Sequence, residues 1–192
     1  LYKAGPLGTL TSETSVNLKA GAGRSTGFYA VNGGTITNRG QVDFANGVGS
    51  VGAYSESSGT VYNEGTITVG GSDILQNYYS IGMASKNGGK IVNNAGSTIN
   101  VTGTYGIGMF ADGAGSRAEN YGTINLESAG EFRGAYGMYI NNHATGYVGP
   151  SGVIKSGRYG SNTDKSDLIG IAVLNGATLE NHGIIDIDAR NS

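Results

Sequence analysis

Cysteine is absent from the 192-residue chain, proline occurs only twice, and histidine only at His143 and His182. Without thiols there are no disulfides and no thiolate metal sites, and two histidines so far apart in register cannot assemble an imidazole site. No run of about 18 apolar residues is present, so no membrane-inserting helix is expected. Lys and Arg number 12 against 14 Asp and Glu and are scattered, which leaves a net charge of −2 and no basic footprint for nucleic acid. No secretory leader opens the sequence, and both ends read as internal to something longer. What is abundant is glycine, at 36 residues. With so little proline this argues against collagen and against proline-rich disorder. It also argues against long helices, because each interior glycine costs a helix about 1 kcal/mol relative to alanine. β-structure with many turns remains.

The chain is repetitive. Five of six blocks open on an apolar residue followed by glycine, Val51-Gly52-Ala53, Ile81-Gly82-Met83, Ile107-Gly108-Met109, Tyr136-Gly137-Met138 and Ile169-Gly170-Ile171, and the first, Thr26-Gly27-Phe28, lacks only the leading apolar residue. An apolar residue, a spacer and an asparagine follow: Ile36/Asn38, Val61/Asn63, Ile91/Asn93, Ala118/Asn120 and Leu179/Asn181, the fifth block carrying Val148 and Pro150 instead. A turn glycine then leads into alternating pairs such as Ile67/Val69, Ile99/Val101 and Ile124/Leu126. Period two in short runs separated by Gly and Asn marks strands, three to a block of roughly 29 residues.

One such block cannot bury enough apolar surface to offset the entropy of ordering it, but stacked blocks share a continuous core. The expected fold is therefore all-β, a right-handed parallel β-helix of about six coils with three short strands per coil, the hand following the preference of parallel crossovers. Coils begin near residues 23, 50, 80, 105, 135 and 168, after a partial coil at 1–22 whose first residues, Leu1 to Gly8, an expression vector could have supplied. Asn38, Asn63, Asn93, Asn120 and Asn181 are expected to stack as one inward ladder, since stacked amides can hydrogen-bond along the axis.

Spacing locates the variable surface. The stretch from the last strand of a block to the next block glycine runs 8, 13, 7, 11 and 14 residues, so insertions gather at one corner. The three longer loops, Gly70–Tyr79, Glu127–Gly134 and Gly157–Asp167, carry Tyr78, Tyr79, Phe132, Arg133, Arg158, Tyr159 and Lys165 as candidate partner-binding residues. Two residues past the block glycine, Tyr29, Tyr54, Phe110 and Tyr139 are expected to form an exposed aromatic column, a candidate glycan-stacking stripe interrupted by Ala84 and Ala172 and flanked by an outward column of glycines. Strand propensity and ring stacking between coils would by themselves also select such residues.

The recurring Asn-x-Gly-x-Ile pattern, as in Asn63-Glu64-Gly65-Thr66-Ile67 and Asn120-Tyr121-Gly122-Thr123-Ile124, and runs such as Ile107-Gly108-Met109-Phe110, resemble the passenger region of large autotransporter adhesins of Gram-negative bacteria. The resemblance implies a surface stalk, tethered to the outer membrane through a C-terminal β-barrel absent from this segment, that binds a protein or glycan receptor on another bacterium or host cell. A stalk that merely spaces a binding site held elsewhere fits the same repeats. Pectin-cleaving enzymes share the fold and form the rival class. Asn162-Thr163-Asp164 and His182-Gly183 look like two polygalacturonase motifs, but no Asp-Asp pair lies between them and no Arg-x-Lys follows. No catalytic residue, metal or cofactor is expected.

Overall fold

The computed structural model describes residues 2–17, 23–127, 132–157 and 165–189. Every coil gives one strand to each of three sheets of seven strands, and each strand pairs in parallel with its counterparts in neighbouring coils. The first sheet runs Tyr2–Ala4, Thr26–Val31, Val51–Glu56, Ile81–Lys86, Ile107–Asp112, Tyr136–Asn141 and Ile169–Val173. The second includes Thr60–Asn63, Lys90–Asn93 and Arg117–Asn120, and the third Thr66–Val69, Thr98–Val101 and Thr123–Leu126. The chain is thus a parallel β-solenoid of six coils from Thr26 onward. Ahead of them Tyr2–Ala4, Thr9–Ser12 and Val16–Asn17 add a strand to all three sheets, so the early residues belong to the stack.

Like residues lie on like. The interior is built from columns such as Met83, Met109 and Met138 on the first sheet and Ile67, Ile99, Ile124 and Ile154 on the third, all fully buried. Sheet hydrogen bonds run between coils, so one register error would displace a whole column, which is why the repeats hold phase.

The asparagine ladder has four rungs. Asn38 Nδ2 donates to Asn63 Oδ1 at 2.8 Å, Asn63 to Asn93 at 2.9 Å and Asn93 to Asn120 at 2.8 Å, all with fully buried side chains. Asn181 is not the fifth. Val148 occupies the rung between Asn120 and Asn181, and Asn181 itself is exposed, its Oδ1 accepting from the Gly183 amide at 3.1 Å. The register of the fifth coil thus differs by two residues from the expected one: Val148 stands at the asparagine position and Gly146 at the apolar one. Size compensation accounts for Gly146. Its coil places Ile140 where earlier coils have Ala30, Ser55, Ser85 and Ala111, and a Cβ on residue 146 would lie 2.9 Å from Ile140 Cγ1 and 2.6 Å from Leu179 Cδ1.

The block glycines face inward, contrary to the expected outward column. A Cβ at Gly52, Gly82, Gly108 or Gly137 would come within 2.4–2.6 Å of an isoleucine Cγ2 on the third sheet. The ladder passes over each glycine, pairing Ile81 with Ile107 and then Met83 with Met109. Glycine and the residue after it are both buried, and the aromatic position that follows returns to the outside.

Candidate functional site: an aromatic groove on the first sheet

The four stripe residues do share one outward column, in the order Tyr29, Tyr54, Ala84, Phe110, Tyr139, Ala172. They form two pairs, with ring centroids 5.6 Å apart for Tyr29 and Tyr54 and 5.7 Å for Phe110 and Tyr139, separated by the small Ala84. The pairs differ in chemistry. Both hydroxyls of the first donate to Glu56, Tyr54 at 3.1 Å and Tyr29 by a shorter contact, while Lys3 lies over the Tyr29 ring at 5.4 Å. The hydrogen bond to Glu56 chiefly raises the Tyr29 pKa, and burial chiefly raises that of Tyr54. This half of the stripe is tied into its own polar network.

The second pair opens into a groove of about 670 Å3. Its floor is two outward columns of the first sheet: Ile81, Ile107, Tyr136 and Ile169, and beside them Phe110 and Tyr139. Tyr136 meets Tyr139 edge-on at 5.2 Å. One wall is the corner leading into the sheet, with Ile74, Tyr79, Tyr105, Gly134 and Asp167; Lys86 and Asn141 stand at the opposite rim. Lys86 reaches Asp112 at 3.5 Å and lies over Phe110 at 5.4 Å. Asp112 also accepts from Asn141 at 3.1 Å and Asn142 at 2.7 Å. Burial raises the Tyr139 pKa, so the neutral phenol is the form present across the physiological range.

The wall is held from within. Asp73 and Tyr78 exchange backbone hydrogen bonds at 2.9 Å, and Asp73 Oδ1 accepts from the amides of Leu75 and Gln76. Ser72 Oγ donates to the Tyr105 carbonyl at 2.8 Å, and Ser80 Oγ to the Gly71 carbonyl at 2.6 Å. Tyr105 adopts φ 59°, a left-handed backbone that a bulky side chain rarely takes. Its ring lies across the next coil, where a Cβ on Gly134 would sit 2.3 Å from Tyr105 Cδ1. Any side chain at 134 would collide with that ring.

The loop candidates divide. Tyr79 faces the groove and is 41 % exposed. Tyr78 turns away, its hydroxyl accepting from Arg24 at 3.3 Å with the guanidinium 5.1 Å from its ring. Phe132 is fully buried in the core with Ala135 and Leu168, so it anchors its loop and cannot touch a partner; an apolar ring on an insertion that crosses the core edge finds its burial there. Arg133 is exposed, and Phe132–Arg133 pairs in parallel with Lys165–Ser166, joining two insertions into a small sheet. Arg158 and Tyr159 lie outside the described residues, as does the Asn162-Thr163-Asp164 stretch. His182 contacts Glu180 at 2.5 Å, and among the described residues no three His, Cys, Asp or Glu are grouped to hold a metal.

Sequence reasoning passed over Tyr105 and Tyr136. Tyr105 lies in the shortest insertion, so loop length hid it. Its signal is positional: Tyr79 and Tyr105 both precede the leading residue of a block by two, the corner held elsewhere by Arg24, Gly49, Gly134 and Asp167.

Fold and groove together define a loop-bearing parallel β-solenoid with an aromatic recess on one flank. The chain belongs to the family of the BigA third pectate lyase-like domain, whose model matches residues 44–152, more than half of it. No curated protein and no solved structure matches it. Membership and fold fit a β-helix passenger segment, and the match takes in Tyr79, Tyr105, Phe110, Tyr136 and Tyr139. Among the described residues no helix is long and apolar enough to cross a membrane.

Proposed function

We propose that this segment is part of a surface adhesin, an autotransporter passenger stalk carried on the outer membrane through a C-terminal β-barrel beyond this chain, and that its groove engages a receptor on another bacterium or a host cell. The observation that supports this reading is the convergence of Tyr79, Tyr105, Phe110, Tyr136 and Tyr139 on one recess over a rigid floor. Aromatic side chains give much contact area for little lost entropy, and an exposed cluster on a rigid scaffold is where binding is concentrated. We read the segment as a binding module without catalysis. The carboxylates beside the stripe are held structurally, Glu56 by the Tyr29 and Tyr54 hydroxyls and Asp112 by Lys86, Asn141 and Asn142.

The purely spacing stalk is the rival, favoured by the N-terminal half of the stripe, where Tyr29 and Tyr54 are already satisfied by Glu56. The test is to display the full-length parent carrying Tyr105→Ala with Tyr139→Ala on bacteria and measure coaggregation and host-cell attachment at matched surface levels. The binding reading expects attachment to fall severalfold or more; undiminished attachment would leave only the spacer.

A further inference from the structure

We infer that the occupant of this groove is a neutral carbohydrate, a chain of pyranose units lying on the rings of Tyr105 and Tyr139, with Phe110, over which Lys86 lies, beside them. The inference rests on the binding reading above and names its ligand class. A pyranose is amphipathic: its C–H faces are apolar and its hydroxyls ring the edge. The groove has the matching form, with aromatic faces on floor and wall and polar groups at the rims, including Lys86, Asn141 and Asp167. Its volume of about 670 Å3 suits a few sugar units. Both signs of charge are present and Lys86 is already paired with Asp112, so nothing selects a sulfated or strongly acidic glycan.

Competing occupants fit less well. An extended peptide adds to a sheet through a free strand edge. The floor strands Ile81–Lys86, Ile107–Asp112 and Tyr136–Asn141 are each paired on both sides, which leaves no edge to extend. A partner helix needs a continuous apolar trough, whereas tyrosine hydroxyls and a lysine interrupt this one. Tyr105 shares its left-handed backbone with Arg24, Gly49, Gly134 and Asp167 at the same corner of other coils, and here that turn carries a ring into the groove over the glycine of the next coil. The same chemistry places the site on the C-terminal half of the stripe. Tyr29 and Tyr54 lie beyond Ala84, with their hydroxyls committed to Glu56.

The test uses the 192-residue chain against neutral β-linked glucose and galactose tetrasaccharides, a sulfated tetrasaccharide and a library of extended peptides, read by saturation-transfer NMR and calorimetry. Expected are binding of at least one neutral tetrasaccharide, a loss of tenfold or more in Tyr105→Ala and in Tyr139→Ala, and affinity within threefold of the parent in Tyr139→Phe, which keeps the ring. Tyr54→Ala should bind within twofold of the parent. Circular dichroism confirms that each variant is folded, and Tyr139→Phe gives the reading even where an alanine variant fails. Binding of the sulfated sugar or of peptides alone, no binding at all, or neutral binding that survives both alanine variants would overturn the inference. The carbohydrate inference can fail while the adhesive reading stands. If Tyr105→Ala/Tyr139→Ala abolishes cell attachment while periodate oxidation of target-cell glycans leaves the parent's attachment intact, the groove binds cells but not through sugar.

Discussion

Glycine has two opposite uses in this chain. At Gly82 a methyl group would sit 2.5 Å from Ile99 Cγ2 and 2.6 Å from the Gly108 carbonyl oxygen, and neither a core side chain nor the backbone of the next coil can yield without disturbing its column. Gly82→Ala is therefore an overpacking change and should destabilise by about 2–3 kcal/mol, seen as a lower urea midpoint. The corner after the first sheet shows the reverse. Asn32-Gly33, Asn87-Gly88 and Asn175-Gly176 all take positive φ at both residues, the turn that Asn-Gly suits best. The second coil makes the same turn with Ser57 at 49° and Ser58 at 63°. Ser58→Gly removes the steric cost of a left-handed serine and should stabilise by about 0.5–1 kcal/mol. A thermal midpoint that falls on this replacement would show that the serines contribute something the turn geometry does not reveal.

At the scale of elements, the ladder has a direction and an unfinished end. Each amide donates to the rung of the following coil, so the oxygen of Asn38, the first rung, has no donor; it is one of two buried side-chain atoms without a hydrogen-bond partner among the described residues. Ser12 lies in register ahead of it and is nearly buried. Ser12→Asn supplies the missing amide and should stabilise by about 1 kcal/mol; a lower urea midpoint would count against the ladder as a source of stability. On the second sheet, Glu119 takes Lys90 at 2.9 Å and a shorter contact from Arg117. Burial pushes its pKa up, the hydrogen bonds from Lys90 and Arg117 pull it down, and the net is below the ordinary 4.5. A folded pKa below the unfolded one contributes stability that is complete above about 4.5 and is lost as pH falls through the folded value. Glu119→Gln should thus be less stable than the parent at neutral pH and converge on it in acid, as urea midpoints at both pH values would show. These elements were visible in the sequence because alternation and the Asn-x-Gly register repeat on every coil. The fifth coil was misread because Gly146 offsets Ile140 across the core, a compensation between two strands that no local pattern records. The inward glycines were misread for a related reason: simple alternation has no place for two consecutive buried residues.

Across the whole molecule, stability is a sum of coil-on-coil interfaces, and the coils with a neighbour on both sides hold the most. Ile99, Ile124 and Ile154 are fully buried, whereas Ile185, next in the same column, is 42 % exposed, and Ile184 beside it 59 %. In the 192-residue chain taken by itself, opening should therefore begin at the terminal coils and spread inward. The groove floor spans Ile81–Lys86, Ile107–Asp112 and Tyr136–Asn141, strands from the well-covered middle. Such placement gives a preformed recess whose rings need little ordering when a ligand arrives, and a preorganised site loses less affinity to entropy. Hydrogen exchange followed by mass spectrometry should find the slowest amides between Ile81 and Leu126, with exchange quickening toward Tyr2–Ala4 and Ile184–Asp186. Equal protection along the chain would instead mean that the stack opens as a single unit. The floor of the groove would then be no more rigid than the ends, and its rings would lose the preorganisation on which tight contact with a partner depends.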